Sequence, residues 1–244
     1  LTHVTMKSAT YIKKKMFLNC GNLVYVNAPL ATSIESESFA GCSALTYAYF
    51  DSCNSMNTNS FTSCYNIKTL SLGSLNVWFG SIPKSNLLVN VSFPKATSVE
   101  NGQLKDFNEL ISCKLPSASI IKSYAFQNCI KLTELEIPNV VQLNGDYIFD
   151  NCPNLATLSI KTLVNVTETG PNLFTGCSRL EYILMPDIPP HTFHRDTFKD
   201  LTCKLLIPSD SLSVYDNDVS IDGDVANDNK WCSVELKEFL FTKI

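Results

Sequence analysis

Cysteine is the residue of this sequence with the most chemistry to offer, and six of its ten copies recur at one spacing. Cys20, Cys42, Cys64, Cys129, Cys152 and Cys177 each stand three residues after a Phe. Such a set can bind zinc, pair as disulfides, or pack as reduced thiols. Zinc needs ligands that converge, yet the sequence has no C-x-x-C pair and repeat spacing spreads the six along a rod. Disulfides between adjacent coils meet a geometric obstacle, because in-register stacking holds Cβ atoms slightly too far apart. The expectation is a ladder of small, buried, reduced thiols. Cys53 and Cys113 fall at other inward places, Cys203 in an out-of-register last coil, and Cys232 in the tail.

The other chemical candidates are weaker. His191 and His194 share a stretch with Arg195 and Asp196, a combination suited to acid–base work. His191, however, takes an inward repeat position filled earlier by Leu143 and Val166, so it reads as structural. Asp218-Val219-Ser220-Ile221-Asp222-Gly223-Asp224 echoes the start of a calcium loop, with Asp218, Ser220, Asp222 and Asp224 as ligands. The bidentate Glu of the twelfth place is replaced by Asn229, which favours a solvated loop. Asn90-Val91-Ser92 and Asn165-Val166-Thr167 match the glycosylation sequon. No nucleophile elbow, phosphate loop or paired carboxylates are legible, so neither an enzyme nor a cofactor is expected.

The elements that would position these residues come from a repeat. Its clearest unit is Phe126-Gln-Asn-Cys129-Ile-Lys-Leu132-Thr-Glu-Leu135-Glu-Ile137-Pro138, followed by Phe149…Cys152…Leu155…Leu158…Ile160 and Phe174…Cys177…Leu180…Ile183…Met185. The residue closing each short apolar strand falls at Pro29, Asp51, Gly73, Pro94, Pro116, Pro138, Lys161, Pro186 and Pro208. The steps are 22, 22, 21, 22, 22, 23, 25 and 22 residues, a period in the leucine-rich range. In the fourth coil Ile82, Ser85, Leu88, Val91 and Phe93 take the repeat positions; in the fifth, Leu104, Phe107, Leu110, Cys113 and Leu115 do. Phe50-Asp-Ser-Cys53 is then a strand residue plus an inward return position, not an extra repeat.

Two further inward residues lie two and five places past each marker: Ala31/Ile34, Cys53/Met56, Leu75/Trp78, Ala96/Val99, Ala118/Ile121, Val140/Leu143, Leu163/Val166 and Ile188/His191. No coil can bury such a face alone, so stacking is compulsory. The expected fold is an α/β leucine-rich-repeat solenoid of about nine coils of 21–25 residues. It has a parallel sheet on one side and short helical or irregular returns. The solenoid spans 1–208. Residues 209–244, where Tyr215, Trp231, Phe239 and Phe241 stand among Asp and Asn, form a C-terminal cap.

The unit F-x-x-C-x-x-L-x-x-L-x-I-P resembles the BspA-like leucine-rich repeat of bacterial and protist surface proteins. The ending, Cys203-Lys-Leu205-Leu-Ile207-Pro208 with Tyr215 and Trp231 beyond it, is similar to that family's terminal coil. The resemblance covers essentially the whole chain. It implies an extracellular or cell-surface setting and adhesion to host matrix or another cell-surface protein, and it carries no catalytic residues. Ser85, Phe107 and Lys161 depart from the pattern.

Binding residues should then lie where the repeat does not need them. Two columns point outward from the strands, four and two residues before each marker. Tyr25, Tyr47 and Tyr49 cluster near one end, supplying contact area with a polar handle. Tyr182, Leu184 and Leu206 form an apolar group near the other. Glu134 and Glu136 flank Lys114 between them. The net charge of −4 with scattered Lys and Arg gives no nucleic-acid footprint, and no apolar run is long enough to insert in a membrane. The start at Leu1-Thr2-His3 suggests a processed or trimmed piece. The leading expectation is a monomeric, non-enzymatic binding or adhesion module. A structural spacer is the alternative and would show a uniformly polar strand face.

Overall fold

Three or four residues of alternating apolar and polar character, bounded by a turn, make a short strand with one buried face. Each coil supplies one. The computed structural model describes residues 1–57, 59–73, 87–167, 172–188, 193, 197, 198, 201, 203–208, 230, 231 and 234–239. Leu1–Thr97 with Glu109–Pro116 form one compact unit, and Ser98–Asn108 with Ser117–Ile244 a second.

In the first unit, β1 (His3–Thr5), β3 (Tyr25–Asn27), β5 (Tyr47–Phe50), β7 (Thr69–Leu72), β8 (Asn90–Ser92) and β10 (Ser112–Lys114) follow one another in a parallel sheet. The register pairs His3 with Tyr25, Tyr25 with Tyr47, Tyr47 with Thr69, Thr69 with Asn90 and Asn90 with Ser112. These are the steps of the sequence period. A second parallel ladder of β2 (Tyr11–Ile12), β4 (Ser33–Ile34) and β6 (Ser55–Met56) lies on the return.

The second unit has the same plan. Its return ladder is β9 (Ser98–Val99), β11 (Ile120–Lys122), β13 (Gln142–Asn144) and β15 (Asn165–Thr167). Its strand side holds β12 (Glu134–Glu136), with β14 (Thr157–Ser159), β16 (Tyr182–Leu184) and β17 (Lys204–Pro208) paired in parallel. Beyond Pro208, β19 (Val234–Phe239) adds a further parallel strand to β17, and β18 (Lys230–Trp231) pairs with it antiparallel.

The fold is thus the expected leucine-rich-repeat solenoid, but its returns, expected to be helical or irregular, carry parallel strand ladders of their own. No described residue is helical, so the α part of the α/β class has no counterpart among them. The F-x-x-C-x-x-L half is instead a run of tight turns. The Cys129 N–H donates to the Phe126 carbonyl at 3.1 Å, and the Leu132 N–H to the Cys129 carbonyl at 3.0 Å. Turning this sharply puts the residue before each Cys at positive φ: Asn19, Gly41, Ser63, Asn128, Asn151 and Gly176. Gly and Asn tolerate that region best. At Gly41 the need is double, since a Cβ there would sit 2.4 Å from Asn19 Oδ1.

The turns also form a third ladder. Phe17 and Asn19 donate to the carbonyls of Ser38 and Ala40, both at 2.8 Å, and Phe126 and Asn128 to those of Ile148 and Asp150 at 2.9 and 3.0 Å. Backbone groups of all three sides are therefore paired from coil to coil.

Inside, the repeat Phe residues of consecutive coils stack in two runs, Phe17–Phe39–Phe61 and Phe126–Phe149–Phe174–Phe198. Phe39 lies 5.2 Å from Phe17 and 5.0 Å from Phe61, and Phe149 lies 5.7 Å from Phe126 and 5.5 Å from Phe174. Phe50 and Cys53 are fully buried, Phe50 within its strand. Among the inward return positions, Ile188 is an exception at 66% exposed. Phe107 is half-buried. Leu75, Trp78, Ile82, Ser85 and His191 lie outside the described residues.

The cysteines take part in the turn ladder. Cys42 donates its S–H to the Phe17 carbonyl at 3.1 Å, Cys64 to Phe39 at 3.0 Å, Cys129 to Leu104 at 3.1 Å, Cys152 to Phe126 at 3.2 Å and Cys177 to Phe149 at 3.0 Å. The Phe17, Phe39 and Phe126 oxygens each accept both an S–H from the next coil and an N–H from their own, satisfying two lone pairs. All nine described cysteines are free thiols, and Cys20 is half-buried.

Burial pushes Cys53 and Cys203 up to about 11 and Cys129 and Cys177 up to about 12. Cys152 is raised by the same cause, and Cys64 first by its hydrogen-bonded neighbour Cys42 and then by burial. An unfolded thiol ionises near about 8.5. Each protonated thiol therefore contributes stability that is complete below about pH 8.5 and is lost as pH climbs toward its folded value. Two outcomes should follow, the first read in native buffer at pH 8 and the second across an alkaline series. An aromatic disulfide reagent should modify Cys20 well before the buried thiols, and the urea midpoint should fall steadily between pH 8.5 and about 11. Rapid modification of Cys129, Cys152 and Cys177 in folded protein would contradict this account.

Candidate functional site

Inward residues hold the coils together, and the outward columns of the strands lie on the other face, where Ser71 and Ser112 are nevertheless buried. In the first unit one column runs His3, Tyr25, Tyr47, Thr69, Asn90, Ser112 and the other Thr5, Asn27, Tyr49, Ser71, Ser92, Lys114. The register brings Tyr25, Tyr47 and Tyr49 onto adjacent strands. The Tyr25 and Tyr49 rings lie 5.7 Å apart and tilted, and Tyr47 is 42% exposed. Asn27 Nδ2 donates to Tyr25 Oη at 3.2 Å, leaving that hydroxyl to donate outward.

One member of the cluster escaped sequence reasoning. His3 stacks on Tyr25 with centroids 5.8 Å apart. The signal was available, since His3 stands 22 residues before Tyr25, one coil earlier in the same column. At the far edge of the cluster, Ser71 Oγ donates to Asp51 Oδ1 at 2.5 Å.

Lys114 is exposed on β10, and Glu134 and Glu136 are exposed on β12. In the second unit Tyr182 is 37% exposed, while Leu184 and Leu206 are only half-buried. These two leucines are register partners on adjacent strands, where each covers part of the other. The exposed apolar area there is accordingly smaller than two free leucines would give.

Asn90 is exposed in the middle of the first unit's strand face, its amide 3.5 Å from Thr69 Oγ1. Asn165 and Thr167 are exposed on β15, in the return ladder. His191, His194, Arg195 and Asp196 lie outside the described residues, as do Asp218, Ser220, Asp222 and Asp224. Among the described residues no group of three His, Cys, Asp or Glu is placed to hold a metal ion. No helix among them is long and apolar enough to cross a membrane. A cavity of about 370 Å³ in the second unit lies against Leu163, Val164, Pro186 and Ile188, with Lys161 and Asp187 at its margin. One of about 350 Å³ in the first unit is lined by Lys14, Glu35, Met56 and neighbouring polar residues.

Coils of this length, with a parallel strand ladder and an inward Phe and Leu per turn, define a leucine-rich-repeat scaffold. The chain belongs to the BspA type leucine rich repeat family, whose model matches residues 1–102 and 97–217 in six copies. No curated protein matches it. Among solved structures it is similar to a leucine-rich repeat protein from Bacteroides ovatus, at 20% identity over 98% of this chain and 61% of that one, TM-score 0.47. It is also similar to the T. pallidum leucine rich repeat protein, at 22% identity over 64% and 72%, TM-score 0.40. The chain of the TLR13–ssRNA13 complex aligns at 16% identity over 98% of this chain and 40% of its own length, TM-score 0.56. That last likeness is one of fold. This chain therefore spans about three fifths of the Bacteroides ovatus protein.

The tyrosine cluster has a titration signature. Tyr49 is raised above the ordinary phenol value, first by burial and then by the neighbouring phenols of Tyr25 and Tyr47 and the Asp51 carboxylate. Site-resolved alkaline titration should find Tyr49 ionising above the usual value of about 10. Tyr47→Ser, which opens the site to water and removes one phenol, should lower it. Ionisation of Tyr49 alongside fully exposed phenols would refute the packed cluster.

Proposed function

We propose that this chain is a surface-exposed, non-enzymatic binding or adhesion module that presents its strand face to a protein partner, host matrix or another cell-surface protein. The observation that carries the reading is the contiguous group of Tyr25, Tyr47 and Tyr49 on one outward face. Tyrosines rigidly held and half in water are efficient contact residues, because they bring large area and a hydroxyl at little entropic cost. Lys114, Glu134, Glu136 and the Tyr182, Leu184 and Leu206 group provide secondary contacts. The family's BspA-like members supply the extracellular setting. Residues 209–244 serve as a cap that shields the last apolar coil, and the module acts as a monomer.

A pure spacer would have a uniformly polar strand face, which an aromatic group of this size is not. Capture of matrix proteins by the full chain should be lost when Tyr25, Tyr47 and Tyr49 are together changed to Ser, with a cooperative melt retained because the inward column is untouched. Undiminished capture by the triple variant would remove the tyrosines from the site.

A further inference from the structure

Away from the strand face, the turn side of the second unit holds two tyrosines that the repeat itself brings into contact. Gly102, Tyr124 and Tyr147 take the same place in three consecutive coils. The Gly102 N–H donates to the Ser123 carbonyl at 2.9 Å, and the Tyr124 N–H to the Asp146 carbonyl at 3.1 Å. All three residues have positive φ, at 61°, 60° and 59°, a region uncommon for a residue with a large side chain. The Tyr124 carbonyl accepts the Gln127 N–H at 3.1 Å and the Tyr147 carbonyl the Asp150 N–H at 3.3 Å, so both tyrosines open the same kind of turn. Like turns one coil apart launch their side chains in the same direction.

The rings accordingly stack face to face, with centroids 5.3 Å apart and planes inclined by only 5°. Tyr124 is 39% exposed and Tyr147 half-buried. Lys105, from the coil of Gly102, holds its Nζ 5.5 Å from the Tyr124 centroid. Coil order puts it on the side of that ring away from Tyr147. Among the described residues one other pair of tyrosines is in ring contact, Tyr25 and Tyr49, and these are tilted by 48° at 5.7 Å.

Parallel, half-exposed phenols are set up for one covalent step. One-electron oxidation takes an electron and the O–H proton from a phenol. The resulting phenoxyl radical has part of its unpaired spin on the ortho carbons, in p orbitals perpendicular to the ring. Face-to-face rings aim those orbitals at each other, and a tilted pair does so less well. Two such radicals form an ortho C–C bond. The hydrogens on the joined carbons then leave as protons, the phenolic oxygens are reprotonated, and both rings become aromatic again. The oxidant is hydrogen peroxide, acting through a haem peroxidase. Two tyrosines and one peroxide give one dityrosine and two waters. Because both rings lie at the surface, they can turn apart as the biaryl forms.

We propose that Tyr124 and Tyr147 form an oxidative modification site, which peroxide and a peroxidase convert to a dityrosine cross-link between adjacent coils. The bond closes the intervening coil into a ring. That limits the freedom of the unfolded chain and so stabilises the fold. It lies on the turn side and leaves the strand face unaltered.

The test treats the full chain with hydrogen peroxide and a haem peroxidase, then isolates monomer for dityrosine fluorescence and peptide mass mapping. A cross-linked peptide pair joining Tyr124 to Tyr147, lighter by two hydrogens, is expected. Tyr124→Phe and Tyr147→Phe each keep a ring in the stack, so both should fold, as thermal melts can verify, and both should lack the product. Treatment in urea should lower the yield of this pair about tenfold or more, because the contact is then lost. The urea midpoint of the cross-linked monomer should exceed that of equally treated Tyr147→Phe. Monomer without the Tyr124–Tyr147 product would overturn the proposal, as would an equal yield of Tyr25–Tyr49 or a yield unchanged by urea. A midpoint that does not move would overturn the stabilising role of the bond.

Discussion

A single coil of this chain has a row of apolar side chains and nothing of its own to bury them against. Phe149 meets this condition by lying between Phe126 and Phe174, and Phe39 by lying between Phe17 and Phe61. Each aromatic contact of this kind is worth about 0.5–1.5 kcal/mol beyond the area it buries, and the Leu and Ile columns add theirs. Stability is then a property of neighbouring pairs of coils. The rest of the structure follows from keeping those neighbours in register.

Register is held from three sides by backbone hydrogen bonds, and the cysteines belong to that system more than to any reactive chemistry. Cysteine at this position is small enough for the tight turn, apolar enough for the core, and still able to donate to the carbonyl one coil back. Serine would offer a stronger donor at a greater desolvation cost, and alanine would leave that lone pair unused. The same turn explains why Asn, Gly and Ser precede the cysteine, since the chain there must pass through positive φ.

Much of this was legible in the sequence because a period is a long-range signal. The 22-residue spacing located the strands, put Phe50 and Cys53 inside, and set the two outward columns that bring Tyr25, Tyr47 and Tyr49 together. What escaped it was set by backbone or by local exceptions. The turn-side ladder is made of N–H and C=O groups, which leave no side-chain pattern to read. The return strands are two or three residues long, too short for periodicity, although their inward residues Ile34, Val99 and Ile121 were evident. Ile188 departs from its column, 66% exposed where the period places it inward. His3 belongs to the aromatic face by the period alone, and Leu184 and Leu206 are less exposed than their positions suggest because each shelters the other.

The central claim is that coil-to-coil packing of one residue column sustains the fold, and Phe149 is where it can be tested most directly. Phe149→Ala removes the ring between Phe126 and Phe174 but leaves the Phe149 carbonyl to accept the Cys177 thiol. Equilibrium urea unfolding of the full chain should show a loss of about 3–5 kcal/mol, together with faster modification of Cys152 and Cys177. A loss under about 1 kcal/mol, with both thiols still shielded, would contradict the account.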